Sequence, residues 1–274
     1  MRLGISGLSI TGNRSASSVN SELIANGTFD TDISGWTDNS ESGGSISWDA
    51  SGYLNLTTGA SNLNEGRAFQ NASVEVGKSY RVKFTIVSGG GVVYKIDAAR
   101  GVGSYEVVFT ASDPTYQVLF RNFSNTNGTS SIDDVSLKEV SLGPELVTNS
   151  RFSDGTTGWT EGDAATTISA SGGILSVENG DSTPAFATQS VSITIGQSYV
   201  VTVKANSIPG LGSGQRARIL CGGFDSGEAI SESLFSQVFT ATTTGDLILA
   251  NGGADLSGDV VGWSSASVRQ VLSD

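Results

Sequence analysis

The 274-residue chain has no histidine, one cysteine, one methionine and four prolines, and only 15% of its residues are charged. Each shortage narrows function. Without histidine, the commonest general base and the commonest imidazole metal ligand are both missing. A single cysteine can form no intrachain disulfide, so Cys221 is expected to act as a small buried apolar residue and says nothing about compartment. No apolar run approaches the ~20 residues that a membrane-spanning helix needs, so membrane insertion is not expected. Lys and Arg number 15 against 27 Asp and Glu, a net charge of −12 with no basic run. Phosphate backbones would be repelled, which argues against nucleic acid as a partner. Gly and Ser interrupt the apolar residues of the first twelve positions, so the start of the chain reads as mature protein rather than as a signal core.

What is abundant is glycine, at 36 residues, together with Ser and Thr, a composition suited to many turns. The chain also repeats itself. Glu22, Leu23, Asn26, Phe29, Gly35 and Trp36 recur at one constant offset as Glu145, Leu146, Asn149, Phe152, Gly158 and Trp159. The copy persists downstream, where residues 52–56 match 173–177, 74–82 match 193–201, 105–111 match 235–241 and 132–137 match 263–268. The offset drifts along the way, which places deletions and one large insertion, near 206–214 and 222–234, in loops. A period this long means tandem domains, because solenoid repeats run about 20–50 residues.

Apolar residues alternate at period two over 45–48, 53–57, 80–87, 92–96, 105–109, 117–120 and 132–137, and again over 166–169, 173–177, 198–204, 215–221, 235–240, 246–250 and 264–271. Short strands parted by Gly, Asn-Gly and Asp-Pro turns predict sandwiches, and no segment has a helical period. The expected organisation is an arm over 1–21, a first β-sandwich module over 22–141 and a second over 142–274. Leu142, Gly143, Pro144 and Glu145 form so short a junction that the modules are expected to touch, packed rigidly end to end.

Asn-Gly-Thr-Phe-Asp at 26–30 with Ser-Gly-Trp at 34–36, the Val-x-Val-Gly-x-Ser-Tyr-x-Val stretch at 74–82 and Ile-Asp-Asp-Val-Ser-Leu at 132–137 together resemble the carbohydrate-binding-module (galactose-binding-like) type of jelly roll. The resemblance covers both modules. It implies an all-β fold of two tandem jelly-roll β-sandwiches behind a short extended N-terminal arm. Phe29, Trp36, Phe152 and Trp159 are then core anchors, since burial of a large aromatic at the start of a strand removes ~150–250 Å² from water. Sugar stacking needs exposed rings, and the candidates lie outside the shared pattern: Trp48, Tyr94, Tyr116, Phe123 and Phe224. The resemblance further implies one structural calcium in the first module, held by Asp30 and Asp133, with Asp134 as the alternate and the Gly27 carbonyl contributing. Oxygen ligands suit calcium, and strand alternation favours Asp133, which would share a face with Val135 and Leu137. Ser153, Ser264 and Ser265 stand at the matching places of the second module, which should be metal-free.

Catalysis finds no support. There is no Gly-x-Ser-x-Gly elbow with a base and no phosphate loop; Gly101 and Gly103 lack the third glycine and the helix such a loop needs. Glu22 and Glu145 recur as residues that begin strands, whereas glycosidase carboxylates must face one cleft. Two function classes remain. One is a phage virion structural protein, a capsid decoration, tail or fibre component that adheres to host surface glycans. The alternative is a secreted or cell-surface carbohydrate-binding protein without catalytic activity. The first is favoured, because the start of the chain is similar to the short Gly/Ser/Leu-rich starts of phage structural proteins and the chain carries no catalytic domain to target. On that reading the protein resides on the virion, is a homo-oligomer, and meets other virion proteins through its arm. Leu3, Ile5, Leu8 and Ile10 are the anchoring residues, too few to fold alone yet enough to add a strand to a neighbouring sheet.

Overall fold

The computed structural model describes residues 21–60, 64–94, 100–123, 128–180, 184–207, 217–227, 234–251 and 258–273. The arm residues Leu3, Ile5, Leu8 and Ile10 lie outside these. Among the described residues every regular element is a strand. In the first copy they are β1 (Thr37–Asp38), β2 (Ser45–Asp49), β3 (Tyr53–Thr57), β4 (Arg67–Ser73), β5 (Ser79–Ser88), β6 (Val92–Tyr94), β7 (Gly103–Thr110), β8 (Thr115–Asn122) and β9 (Thr129–Glu145). The second copy contributes β10 (Thr160–Glu161), β11 (Thr166–Ser171), β12 (Ile174–Asn179), β13 (Ala185–Val191), β14 (Ser198–Ser207), β15 (Ala217–Cys221), β16 (Phe224–Asp225), β17 (Leu234–Thr240), β18 (Gly245–Asn251) and β19 (Val260–Ser273).

Each copy is a two-layer jelly-roll sandwich. In the first, a β1-β4-β8-β6 sheet faces a β2-β3-β9-β5-β7 sheet. In the second, β10-β13-β18-β15-β16 faces β11-β12-β19-β14-β17. Alternation decides what lies between the layers: along β5, Tyr80, Val82, Phe84 and Ile86 are buried while Lys83 and Thr85 are not. The first core gathers these with Leu54, Leu56, Tyr94, Phe120, Ile132 and Leu137 around Phe29 and Trp36. A second core surrounds Phe152 and Trp159.

The repeated residues are those that fix how the chain enters each sandwich. Asn26 and Asn149 have φ of 50° and 52°, and Phe29 and Phe152 have 48° and 54°, a left-handed backbone that a bulky Phe adopts only when its surroundings compel it. Asn26 Nδ2 donates to the carbonyls of Asp32 (3.0 Å) and Ser34 (3.2 Å), and Asn149 Nδ2 to that of Gly155 (2.8 Å). The Glu22 carboxylate accepts the Leu137 amide at 2.7 Å and the Ser136 hydroxyl at 2.6 Å; Glu145 accepts Val268 at 2.9 Å and Ser267 at 2.6 Å. Both glutamates therefore tie the first residues of a sandwich to its last strand.

The junction differs from its expected form. Residues 142–145 form no loop, because β9 runs through them and pairs antiparallel with β19, with Leu142 opposite Val271 and Glu145 opposite Arg269. The five-stranded sheets are joined at this edge. Their outer surfaces also meet: Val108, Val140 and Val200 are buried together, with Leu142, Val238 and Val271 packed against them, and Ser236 Oγ donates to the Val108 carbonyl at 2.9 Å. Val108 lies between the core-facing Val107 and Phe109, and Val200 between the core-facing Tyr199 and Val201, so both point away from their own cores. The end-to-end expectation is thus corrected to back-to-back packing. Apolar residues on the backs of the two sheets supply the driving force.

Candidate functional site

The outer face of the four-stranded sheet in the first copy carries a connected set of polar and aromatic groups. Ala68, Gln70, Val118 and Phe120 turn inward, so Arg67, Phe69, Leu119 and Arg121 turn outward. Antiparallel register sets Phe69 opposite Leu119 and Arg67 opposite Arg121. Two guanidinium groups side by side would repel, and Glu65, 4% exposed, resolves this. Its Oε2 lies 2.7 Å from Arg67 Nε and 2.6 Å from Arg121 Nε, and its Oε1 accepts Arg121 Nη2 at 2.7 Å. Burial opposes ionisation of Glu65, but the hydrogen bonds and charges of Arg121 and Arg67 outweigh it and hold the carboxyl below its ordinary range. Glu41 pairs with the far side of Arg67. Beside this network stands Phe123, 48% exposed, its ring 5.5 Å from the Arg121 guanidinium carbon.

The matching face of the second copy is plainer. Arg218 forks onto Asp225, with Nε to Oδ1 at 2.8 Å, and that bond is the first cause of an Asp225 carboxyl lowered to about 2. Thr188, Ile248, Leu220 and the partly exposed Phe186 share this face, and none of its described aromatics is as open to solvent as Phe123.

Of the five expected sugar-stacking rings, Phe123 and Trp48 present themselves to solvent. Trp48 is 39% exposed on β2, and its indole donates to the Phe29 carbonyl at 2.7 Å, so it also braces the repeated turn. Tyr94 is 1% exposed, stacked on Phe84 at 5.3 Å, and cannot offer a ring face to a ligand; that assignment is corrected. Tyr116 is half-buried, its ring 3.7 Å from that of Phe109 and its hydroxyl 2.7 Å from that of Tyr94. Phe224 turns toward Phe239, at 5.4 Å, and packs on the second core. Phe29, Trp36, Phe152 and Trp159 are all buried.

Asp30, Asp133 and Asp134 come close enough for their charges to matter. Burial first, then the charges of Asp134 and Asp30, push the Asp133 carboxyl up, against the pull of the Asp134 amide. Alternation does not govern here, because Ile132 and Val135 both face the core and a bulge with Asp134 at φ 53° lies between them. Asp133 is therefore off the face of Val135 and Leu137. The Gly27 carbonyl accepts the Val135 amide at 2.8 Å, and Asp30 accepts the Thr28 hydroxyl at 2.9 Å. Among the described residues no three acidic, His or Cys side chains converge as a metal-holding group. The side chains alone do not make a calcium cage.

Glu65, Arg67 and Arg121 escaped the sequence reading. Alternation could have placed both arginines on an outer face, but their union depends on pairing between β4 and β8, which lie far apart in sequence.

No family model matches the chain, and no curated protein matches it. Solved structures do. The N-terminal CBM22-1–CBM22-2 tandem domain of Paenibacillus barcinonensis Xyn10C is 11% identical over 93% of this chain and 99% of its own, with a TM-score of 0.35. The tandem CBM51 modules of a Streptococcus pneumoniae family 98 glycoside hydrolase are 10% identical over 80% of this chain and 84% of theirs, with a TM-score of 0.29. A family 16 carbohydrate-binding module is 17% identical over 45% of this chain and 98% of its own, with a TM-score of 0.33. These three solved structures are carbohydrate-binding modules, two of them paired and one single.

Proposed function

We propose that the protein is a non-catalytic glycan-binding protein whose first copy carries the ligand face. The observation that carries this reading is the exposed Phe123 ring held beside the Arg121–Glu65–Arg67 network. A sugar needs an apolar platform for its C–H face and fixed polar groups for its hydroxyls, and this arrangement supplies both without ordering cost. A glycan array probed with the full chain and with Phe123→Ala tests it. Binding lost in Phe123→Ala while the melting temperature holds supports the reading; an array that stays blank with the intact chain ends it.

The finer reading is that this glycan binder is a structural component of a phage particle, attached through residues 1–21. It rests on the composition of that segment, and mass spectrometry of purified particles tests it. A structural calcium at Asp30 and Asp133 stands as a secondary proposal, favoured by the mutual crowding of these carboxylates. Backbone carbonyls or water would have to complete its shell.

A further inference from the structure

The joined sheet runs β11-β12-β19-β9-β3-β2 across the two copies, and its two ends are finished differently. At the β11 end the outward amides are capped: Ile168 N donates to Glu161 Oε1 at 3.2 Å and Thr166 N to Asp163 Oδ1 at 2.8 Å. At the β2 end the repeat puts Asp38 and Ser40 in place of these two acids. Asp38 Oδ1 accepts the Ser40 amide at 2.9 Å, and Ser40 Oγ accepts the Arg67 amide at 3.0 Å, so both are engaged elsewhere.

Pairing parity shows what β2 leaves open. Thr58 N bonds the Gly128 carbonyl, so the even-numbered residues of β3 bond to β9 and the odd-numbered ones to β2. Tyr53, Asn55 and Thr57 lie opposite Asp49, Ser47 and Ser45. Ile46 and Trp48 therefore turn both amide and carbonyl to the free edge, where nothing among the described residues bonds them. The register of β2 on β3 has no bulge, and the strand carries neither Lys nor Pro, the usual devices that blunt an edge. Its exposed ring, Trp48, stands where register places Ala170 in the second copy.

We propose that β2 pairs antiparallel with β2 of a second chain about a two-fold axis at Ser47. Ile46 of each chain then lies opposite Trp48 of the other, and the open amides and carbonyls bond one another. Each Trp48 ring packs on a branched aliphatic side chain across the pair, with its indole already held by the Phe29 carbonyl. Asp49 lies opposite Ser45, so no like charges face each other. The chain already joins its own copies in this way, by antiparallel pairing of β9 with β19. The two-fold axis of an antiparallel pair stands perpendicular to the sheet, so both first sandwiches fall on one side of it and the two Phe123 faces look the same way. A dimer could then hold one glycan-bearing surface with both faces, a consequence that rests on the proposed role of Phe123; the pairing itself needs no ligand.

Sedimentation of the full chain over a range of concentrations, without glycan, tests the pairing. A five-residue strand makes a small interface, so the mass should rise from one chain to two with a Kd on the order of 10 μM or weaker. Ser47 is exposed, so Ser47→Lys and Ser47→Glu should fold with unchanged melting temperature while setting like charges against each other on the axis. Each should weaken the dimer by about tenfold or more, and an equal mixture of the two should restore it. Ser169→Lys, at the matching place on the capped β11, should leave it unchanged. A single chain up to ~1 mM, a dimer indifferent to Ser47→Lys, a mixture that fails to recover, or equal damage from Ser169→Lys would each overturn the proposal.

Discussion

The two copies share their polar fastenings and differ in how they fill the space between the sheets. Gln70 and Gln189 each exchange two hydrogen bonds with the opening segment, through the amide and carbonyl of Ala25 (2.7 and 3.0 Å) and of Thr148 (2.6 and 3.0 Å). Tyr80 and Tyr199 each accept a loop amide on the hydroxyl, and Asn122 and Asn251 are both fully buried. The apolar volume is redistributed. Phe84, Tyr94 and Phe120 of the first core correspond by register to Val203, Ile219 and Leu249, whereas Ile132 corresponds to the fully buried Trp263. Rings leave one side of the second core and a larger one enters from the other. Directional bonds tolerate little drift, while packing accepts any set of side chains that fills the volume.

The sharpest way to break this comparison is through the paired tryptophans. Trp36→Ala and Trp159→Ala should each cost about 3–5 kcal/mol in denaturant unfolding. The Trp→Phe pair should then separate the copies. Trp36 Nε1 donates to the Asn26 carbonyl at 3.1 Å, but Trp159 Nε1 is buried without a partner among the described residues. Trp36→Phe should therefore be the costlier by about 1 kcal/mol; equal costs would mean that the Asn26 bond contributes nothing.

The ion pairs of the outer faces come next. Glu65→Ala leaves two arginines facing one another at a nearly buried site and should cost about 3 kcal/mol, whereas Asp225→Ala breaks a half-exposed pair and should cost less than about 1 kcal/mol. Both carboxyls are depressed in the folded state, so their contribution is present above the unfolded carboxylate range and is lost as pH falls through the folded values. Acid unfolding of Glu65→Gln should lack the part of the slope that Glu65 supplies.

Glu22→Ala and Glu145→Ala should cost alike, about 1–3 kcal/mol each, because each removes the acceptor for a buried amide and a serine hydroxyl. A twofold disparity would show that the two fastenings are equal in geometry only. The smallest effect is expected at Asp133. Its carboxyl is raised, so its charged form is penalised in the folded protein, and this penalty is relieved as pH falls through the folded value. In chelator, Asp133→Asn should leave stability unchanged or slightly higher; with calcium added it should lose any stabilisation the wild type gains. A loss in chelator would reverse the assigned sign.

The repeat made much of the fold legible. Glu22, Asn26, Phe29 and Trp36 recur because an unusual turn and a carboxylate clamp admit few other residues, and such constraints are visible as identities. Alternation, by contrast, shows which residues share a face but not which face is inside. Tyr94 read as a candidate platform because it lies outside the pattern the copies share, and only the pairing of β6 with β8 places it against Phe120. The bulge at Asp133 and Asp134 hides within a sequence that alternates on paper. Gly143 and Pro144 read as a break between modules, yet β9 continues through them, with the Gly143 carbonyl taken by Arg269 Nε at 2.8 Å. Local composition cannot reveal that a partner strand waits at that edge.

The back-to-back packing of the five-stranded sheets has a consequence for reach. The β1-β4-β8-β6 sheet and the β10-β13-β18-β15-β16 sheet each lie beyond their own core from the seam, so the face with Phe123 and Arg121 and the face with Arg218 and Asp225 look away from each other. A flat surface can touch one of them at a time, and linking the copies raises no effective concentration for the second face on that same surface. Whatever the face with Phe123 holds is therefore kept a full sandwich away from the second copy, which can stand behind the contact but cannot share it.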